Sequence, residues 1–378
     1  MRGEVVVIGG GITGLAAAFE LAVAGCRVTL FEARRLGAMA SGVTLGGVRQ
    51  SGRHPAELPL VRAAVAIWRE LEDLLEAPTG YRRTGNLRLA RTPEEAEHIA
   101  AMVAEQRAAG LDIALLSDPV EIRGLAPLLA EGIVAASFCP GDGQAEPGLV
   151  LAAYAAAARR VGVALREGET VHGLEVRGGR IAGVHTGSGH VPADAVVVAA
   201  GIESNALLAP LGLAIPMTVP EVAGFRTRPV GRCLGPVLGV ANAEIALRQQ
   251  LDGCLRVTGA AGEGGDGRAG GPRLAGFSAL LASFASLLEG AAEFVLAETW
   301  AGYLDQTPDA LPVIEAVPGI DGLVLAFGFS GHGFALGPIA GRLVRDLIVA
   351  GRSRLPLDAF RRDRFGRGGS GAAVTLHG

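Results

Sequence analysis

Glu4-Val5-Val6-Val7-Ile8-Gly9-Gly10-Gly11-Ile12-Thr13-Gly14 is the stretch on which the reading of the fold turns. Val5 to Ile8 is a β-branched run of the kind that makes a strand buried on both faces of a parallel sheet. It passes directly into a G-x-G-x-x-G turn. Leu15 to Ala24 then carries Ala and Leu at helical density, with Gly25 at the C-terminal cap. Arg27-Val28-Thr29-Leu30-Phe31 reads as a second strand ending on Glu32. Gly9 permits the tight turn, Gly11 lets a pyrophosphate touch backbone, and Gly14 lets helix and strand pack closely. Ile12 and Thr13 open the helix, whose free N–H groups and dipole favour a phosphate. Glu32 stands 18 residues beyond Gly14, where an acid accepts hydrogen bonds from ribose hydroxyls. The same acid argues against a 2′-phosphate, and so against NADP.

Composition narrows the rest. A chain of 378 residues suggests two or three domains, and 49% hydrophobic against 19% charged residues excludes a disordered chain. The net charge of −4, with no basic patch, argues against a nucleic-acid partner. The sequence contains no lysine, so all 34 cations are arginine. Cys26, Cys139, Cys233 and Cys254 show neither a C-x-x-C pair nor metal-ligand spacing, so they read as reduced buried thiols and no metal site is expected. No run reads as a membrane span or signal peptide, and a soluble cytoplasmic protein is expected.

Further along, regular βα repeats do not continue as they would in an NAD domain. A Gly-rich segment, Gly37 to Gly47, is followed by a helix around Pro59–Glu76 that includes Trp68. Next come a strand, Asn86–Ala90, and a helix, Pro93–Ala109, opened by Thr92. The βα features resume with a helix Gly148–Arg160, a strand Gly162–Arg166, a hairpin Thr170–Val184 and a strand Ala195–Ala199. Near the end, the strand Leu323–Ala326 meets Gly328-Phe329-Ser330-Gly331-His332-Gly333-Phe334, with a helix expected from Gly337 to Val349. A second glycine loop feeding a second helix suits a partly anionic ring such as a reduced flavin.

Four stretches carry a resemblance: VVVIGGGITGLAAAFELAVAGCRVTLFEA (5–33), ASGVTLGGVRQ (40–50), AVVVAAGIESNALLAPLG (195–212) and ETWAGYLDQTPDALPVIEAVPGIDGLVLAFGFSGHGFALGPIAGRLVRDLI (298–348). They resemble the D-amino-acid-oxidase-type (DAO) FAD-dependent oxidoreductases, which include the glycine and sarcosine oxidases. The closer similarity is to the β subunits of opine oxidase, hydroxyproline dehydrogenase and proline dehydrogenase complexes, and to a hydrogen cyanide synthase subunit. The middle, Phe225 to Glu298, matches only loosely. The resemblance implies an α/β fold in which a Rossmann-like FAD-binding domain (1–80, 145–222 and 299–365) is interleaved with an α+β, mixed-sheet substrate domain (81–144 and 223–298). Gly259–Gly271 is expected to be a mobile surface loop, and 366–378 a flexible tail.

What the resemblance implies for function is oxidation of the C–N bond of a secondary or D-configured amino or imino acid (an opine, a hydroxyproline- or proline-like acid, or an N-alkyl amino acid). Hydride transfer to flavin N5 would leave an imine. It places non-covalent FAD on Gly9, Gly11, Ile12, Thr13, Gly14, Glu32, Ala33 and Arg34. Further cofactor contacts are implied at Ser41, Gly46, Gly47, Val171, Ala200, Gly201 and Gly302, and at Gly331, His332, Gly333 and Phe334. Arg49 is expected to hold the substrate carboxylate, with Gln50 and His54 following on its loop. His332 is expected to contact flavin or substrate, Arg248 to face the substrate from a strand, and Tyr303 to lie over the site; Trp300 reads as core. Sarcosine-oxidising members often carry a lysine where this chain has Ala335. The absence of lysine implies slow reaction with dioxygen, and so a dehydrogenase with an electron-accepting partner subunit or quinone. Two other readings remain at this point: an NAD-dependent dehydrogenase, and a flavin-bearing subunit without independent catalysis.

Overall fold

The computed structural model describes residues 3–241, 245–262 and 271–366. Two large sheets organise them. The first has six strands in the order Val313–Ala316, Leu323–Phe327, Ala195–Val198, Glu4–Ile8, Arg27–Glu32, Ala164–Glu167, all parallel except the antiparallel first pair. The central strands are apolar from Val5 to Ile8, Ala195 to Val198 and Leu323 to Phe327 because both faces are covered. On one face lie the helices Ile12–Val23, Leu58–Leu75, Pro147–Arg160 and Gly333–Ala350. The opposite face packs on a three-stranded antiparallel sheet formed by Val171–Arg177, Arg180–Thr186 and Gly189–Pro192. This is the Rossmann-like arrangement.

The second sheet has eight strands in the order Leu296–Tyr303, Glu221–Pro229, Cys254–Gly262, Ile245–Gln249, Val237–Val240, Asn86–Ala90, Ala135–Cys139, Ala114–Leu116. Its pairings are antiparallel except for Val237–Val240 beside Asn86–Ala90, so it is a mixed sheet. Helices Leu274–Leu287 and Pro119–Leu125 cover one face over a core that includes Leu87, Leu89, Phe225 and Phe284. Strand alternation turns Asn86 and Arg88 the other way, toward the first sheet.

Four boundaries differ from expectation. The limits near 222 and 299 cut through strands Glu221–Pro229 and Leu296–Tyr303, both of which belong to the second sheet. Gly259 to Gly262 are strand rather than loop, paired with Glu221–Ala223, because a glycine run still supplies the N–H and C=O groups that a ladder requires. The remainder of that run, 263–270, and 367–378 of the expected tail lie outside the described residues. The last long helix begins at Gly333, a turn before the expected Gly337. Its small residues lie on the first helix: a Cβ on Gly341 would approach the Ala16 carbonyl carbon to 2.6 Å. That close packing overrides the weak helix propensity of Gly337 and Pro338. Among the described residues, no helix is long and apolar enough to cross a membrane.

Candidate active site

Between the two sheets lies a cavity of about 710 Å3, within the roughly 300–1,000 Å3 of ligand sites. One end is lined by Gly9 to Thr13, Glu32, Ala33, Arg34 and Ser41. The other is lined by Arg49, Arg53, Asn86, Arg88, Tyr303 and His332. Two helix N-termini open on it. Gly11 caps Ile12–Val23 and His332 caps Gly333–Ala350; neither makes a side-chain cap bond, and neither first turn holds an acid. The N-terminal N–H groups and dipoles of two helices thus point into one space.

That geometry fits FAD. Glu32 is pinned at its strand tip by N–H bonds from Gly10 (2.7 Å) and Arg34 (2.8 Å), and carboxylate oxygens retain capacity for ribose hydroxyls. Ser41 Oγ accepts the Ile12 N–H at 3.0 Å, bringing the Gly37–Gly47 segment onto the helix start. Gly47, Val171, Ala200, Gly201, Gly302, Gly331, Gly333 and Phe334 also line the cavity. Gly14 and Gly46 do not. A Cβ on Gly14 would sit 1.9 Å from the Gly9 carbonyl oxygen, so Gly14 serves the turn's packing against its helix. Gly46, at φ +87°, lies 2.4 Å (from a Cβ built on it) to the Ala145 carbonyl and turns the chain behind the cavity.

Asp142 positions the arginine end. Its fully buried carboxylate accepts the Gln50 N–H (2.7 Å), the Ser51 N–H (3.3 Å) and the Ser51 hydroxyl (2.5 Å). Arg49 Nη1 donates to the Ser51 (2.6 Å) and Gly52 (3.2 Å) carbonyls. Burial, then the neighbouring Arg53 and Arg88, push the Arg49 guanidinium well below its ordinary pKa. Three guanidinium groups therefore crowd one end of the cavity, facing Asp142 and Glu57. Arg53 Nη1 is buried without a hydrogen-bond partner among the described residues.

His332 is buried, with Nδ1 at 3.1 Å from Glu57 Oε2. Burial, aided by Arg53, lowers its pKa to about 4, so the imidazole is neutral at neutral pH. Burial alone would raise Glu57, but His332, Arg53 and Arg49 bring it net below its ordinary value. Nearby, the Asp305 carboxylate accepts the Gly328 N–H at 2.6 Å, and burial raises it to about 6.

Several expected site residues lie elsewhere. Arg248 is fully buried outside the cavity. Its guanidinium makes paired 2.9 Å bonds to both oxygens of Glu146, a 3.0 Å bond to Gln144 and a bond to the Leu45 carbonyl. With those acceptors satisfied by the protein, it latches the strand Ile245–Gln249 to the Gly37–Gly47 segment instead of facing substrate. His54 caps a short 3-10 turn by accepting the Ala56 N–H at 3.1 Å and does not line the cavity. Gln50 is held through its backbone by Asp142 and likewise does not reach it. Trp300 is half-buried, donating to the Val43 carbonyl at 3.1 Å with Arg256 4.2 Å over its ring. Arg53, Glu57, Arg88 and Asp142 were not singled out from sequence. Arg88 had a signal: polar residues at 86 and 88 alternate with Leu87 and Leu89 in an otherwise apolar strand.

Comparison with known proteins agrees with this geometry. The family described as "FAD dependent oxidoreductase" (DAO) matches residues 4–347. The chain is 29% identical to the glycine oxidase of Bacillus licheniformis, covering 96% of this chain and 98% of that one. Among solved structures it resembles L-proline dehydrogenase from P. horikoshii, at a TM-score of 0.90 and 29% identity over 97% of this chain and 98% of that one. Glycine oxidase from Geobacillus kaustophilus gives a TM-score of 0.89 and 28% identity, over 96% and 99%. A dinucleotide cradle at one end, a second helix N-terminus at the other and this match replace the NAD alternative with FAD. The chain belongs to the DAO family of FAD-dependent oxidoreductases.

Proposed function

We propose that this chain oxidises the C–N bond of a secondary or D-configured amino or imino acid to an imine. Opines, hydroxyproline- and proline-like acids and N-alkyl amino acids make up the proposed range. The observation that carries the reading is the guanidinium-lined end, Arg49 with Arg53 and Arg88, in the same cavity as the dinucleotide cradle. A carboxylate paired with Arg49 would be oriented by charge-assisted hydrogen bonds, and burial strengthens such a pair. Bound FAD supplies the two-electron acceptor. The protein supplies position, a dry site and a carboxylate anchor. Tyr303, 7% exposed and lining the cavity, shapes the space beside the anchor. Resemblance to proteins named glycine oxidase and L-proline dehydrogenase supports the amino-acid class.

FAD is proposed to be non-covalent, since all four cysteines are buried and none lines the cavity. Electrons are proposed to pass to a partner subunit or quinone. Neither Arg248 nor His332 supplies a cation in place of the missing lysine, since Arg248 lies outside the cavity and His332 is neutral. Anaerobic mixing of the FAD-loaded protein with opines, D-amino acids, proline derivatives and N-methyl amino acids tests the function. Bleaching of the flavin by members of this panel is expected. A fully loaded protein that none of them bleaches supports a non-catalytic flavin-bearing subunit.

A further inference from the structure

Glu57 and His332 come from distant parts of the chain, the turn before helix Leu58–Leu75 and the start of helix Gly333–Ala350. They meet in a place that exposes almost none of either side chain, 0% for Glu57 and 4% for His332. Holding Nδ1–H toward a carboxylate fixes the tautomer, so Nε2 carries the lone pair. Nε2 is buried and has no hydrogen-bond partner among the described residues, on a side chain that lines the cavity. A buried acceptor without a donor is costly, and a site that retains one has a donor to receive.

Resting on the amino-acid reading above, we propose that His332 is the base that takes a proton from the substrate ammonium, with Glu57 as the positioning residue behind it. An amino acid in water carries its nitrogen as an ammonium, whose lone pair is tied up in an N–H bond. Oxidation of the C–N bond needs that pair. In the proposed step one substrate N–H bond breaks, a proton–Nε2 bond forms, and the electron pair stays on the substrate nitrogen. Nδ1–H remains bonded to Glu57, whose negative charge stabilises the resulting imidazolium. No electron changes hands in this step. The later two-electron oxidation of the amine has FAD, the family's oxidant, as its acceptor, and the proton on Nε2 leaves to water after product release.

The charges around the pair make the base responsive to substrate. Arg53 and Arg49 depress the proton affinity of the imidazole and Glu57 raises it. A carboxylate on Arg49 or Arg53 offsets their effect, so proton affinity rises when an anionic group binds beside the imidazole. The carboxylate and the ammonium of an α-amino acid share one carbon. The group that switches the base on thus arrives with the proton the base must take.

The test is the limiting rate of anaerobic flavin bleaching as a function of pH in the FAD-loaded protein. His332→Asn keeps a donor toward Glu57 and loses the base. Its rate at pH 7 is expected to fall about 10²–10⁴-fold and to climb about tenfold per pH unit toward the pKa of the free amine. FAD content, and the affinity for acetate read from the flavin spectrum, are expected to stay unchanged, since neither needs the base. Glu57→Gln removes the charge behind the imidazole; the acid limb of its profile is expected to move to lower pH with a plateau about tenfold down. A His332→Asn profile parallel to wild type, or within about threefold of it, overturns the proposal. Should that variant lose FAD, an unmoved acid limb in Glu57→Gln overturns it instead. Wild-type protein that holds FAD but is reduced by no amino acid removes the functional reading itself, a different failure from a parallel profile.

Discussion

Removing one partner of the Arg248–Glu146 pair should damage the fold more than the chemistry. Arg248 is fully buried, and its guanidinium is balanced by the Glu146 carboxylate through two 2.9 Å bonds. Glu146→Ala leaves the guanidinium with only Gln144 and the Leu45 carbonyl. An uncompensated buried charge of this kind costs about 3–5 kcal/mol. Arg248→Met fills a similar volume and leaves Glu146, 12% exposed, with the Gln250 amide at 2.7 Å and the Leu251 N–H at 3.4 Å. The loss there should be smaller, about 1–3 kcal/mol. The double variant should fall well short of the sum, because the two groups form one unit. Urea unfolding of FAD-free protein measures this without the stabilisation that bound cofactor adds. KM for the best amino acid should stay within about threefold in refolded, FAD-loaded Arg248→Met, as a residue outside the cavity requires. Unchanged stability with KM raised about tenfold or more would return Arg248 to the substrate.

Other outcomes follow from the same geometry. Arg49→Ala should lower kcat/KM by about 2–4 kcal/mol while FAD stays bound; near-normal steady-state kinetics would move the carboxylate anchor to Arg53 or Arg88. Asp305, raised to about 6 from an unfolded value near 3.8, stabilises the FAD-free fold fully below pH 3.8 and loses that contribution as pH rises through 6. The contribution is about 3 kcal/mol, so Asp305→Asn, which does not titrate there, should gain about that much on wild type between pH 4 and pH 7 in parallel urea titrations; a constant difference would contradict the shift. Reduced protein mixed with air-saturated buffer should reoxidise about 10²–10³ times more slowly than it turns over with a dye acceptor. Equal stopped-flow rates would make it an oxidase.

The first strand, turn and helix were legible because every determinant is local: a β-branched run, three spaced glycines and an acid at the next strand's end. The second glycine loop was legible for the same reason, although its helix begins earlier than Gly337 and Pro338 suggest. Residues whose role depends on a distant partner were not. Arg248 follows three apolar residues on its strand, and nothing in IALRQ says that Glu146, 102 positions away, absorbs its charge. Glu57 reads as a helix-start acid until the fold brings it against His332, 275 positions away. His54 and Gln50 were drawn toward the site by their nearness to Arg49, yet the turn that holds Arg49 inward directs them to a cap and to Asp142. Arg53 needed the same turn, which brings it back beside Arg49.

On the function proposed, FAD in this cavity oxidises an amino acid held by its carboxylate. The most direct measurement compares the anaerobic rate of flavin bleaching by the best amino acid with that by its carboxamide, which keeps the amine and removes the charge. Rapid bleaching by the acid is expected, with a rate at least about 100-fold lower for the amide. Equal rates for the two, or a fully FAD-loaded protein that neither one bleaches, would contradict it.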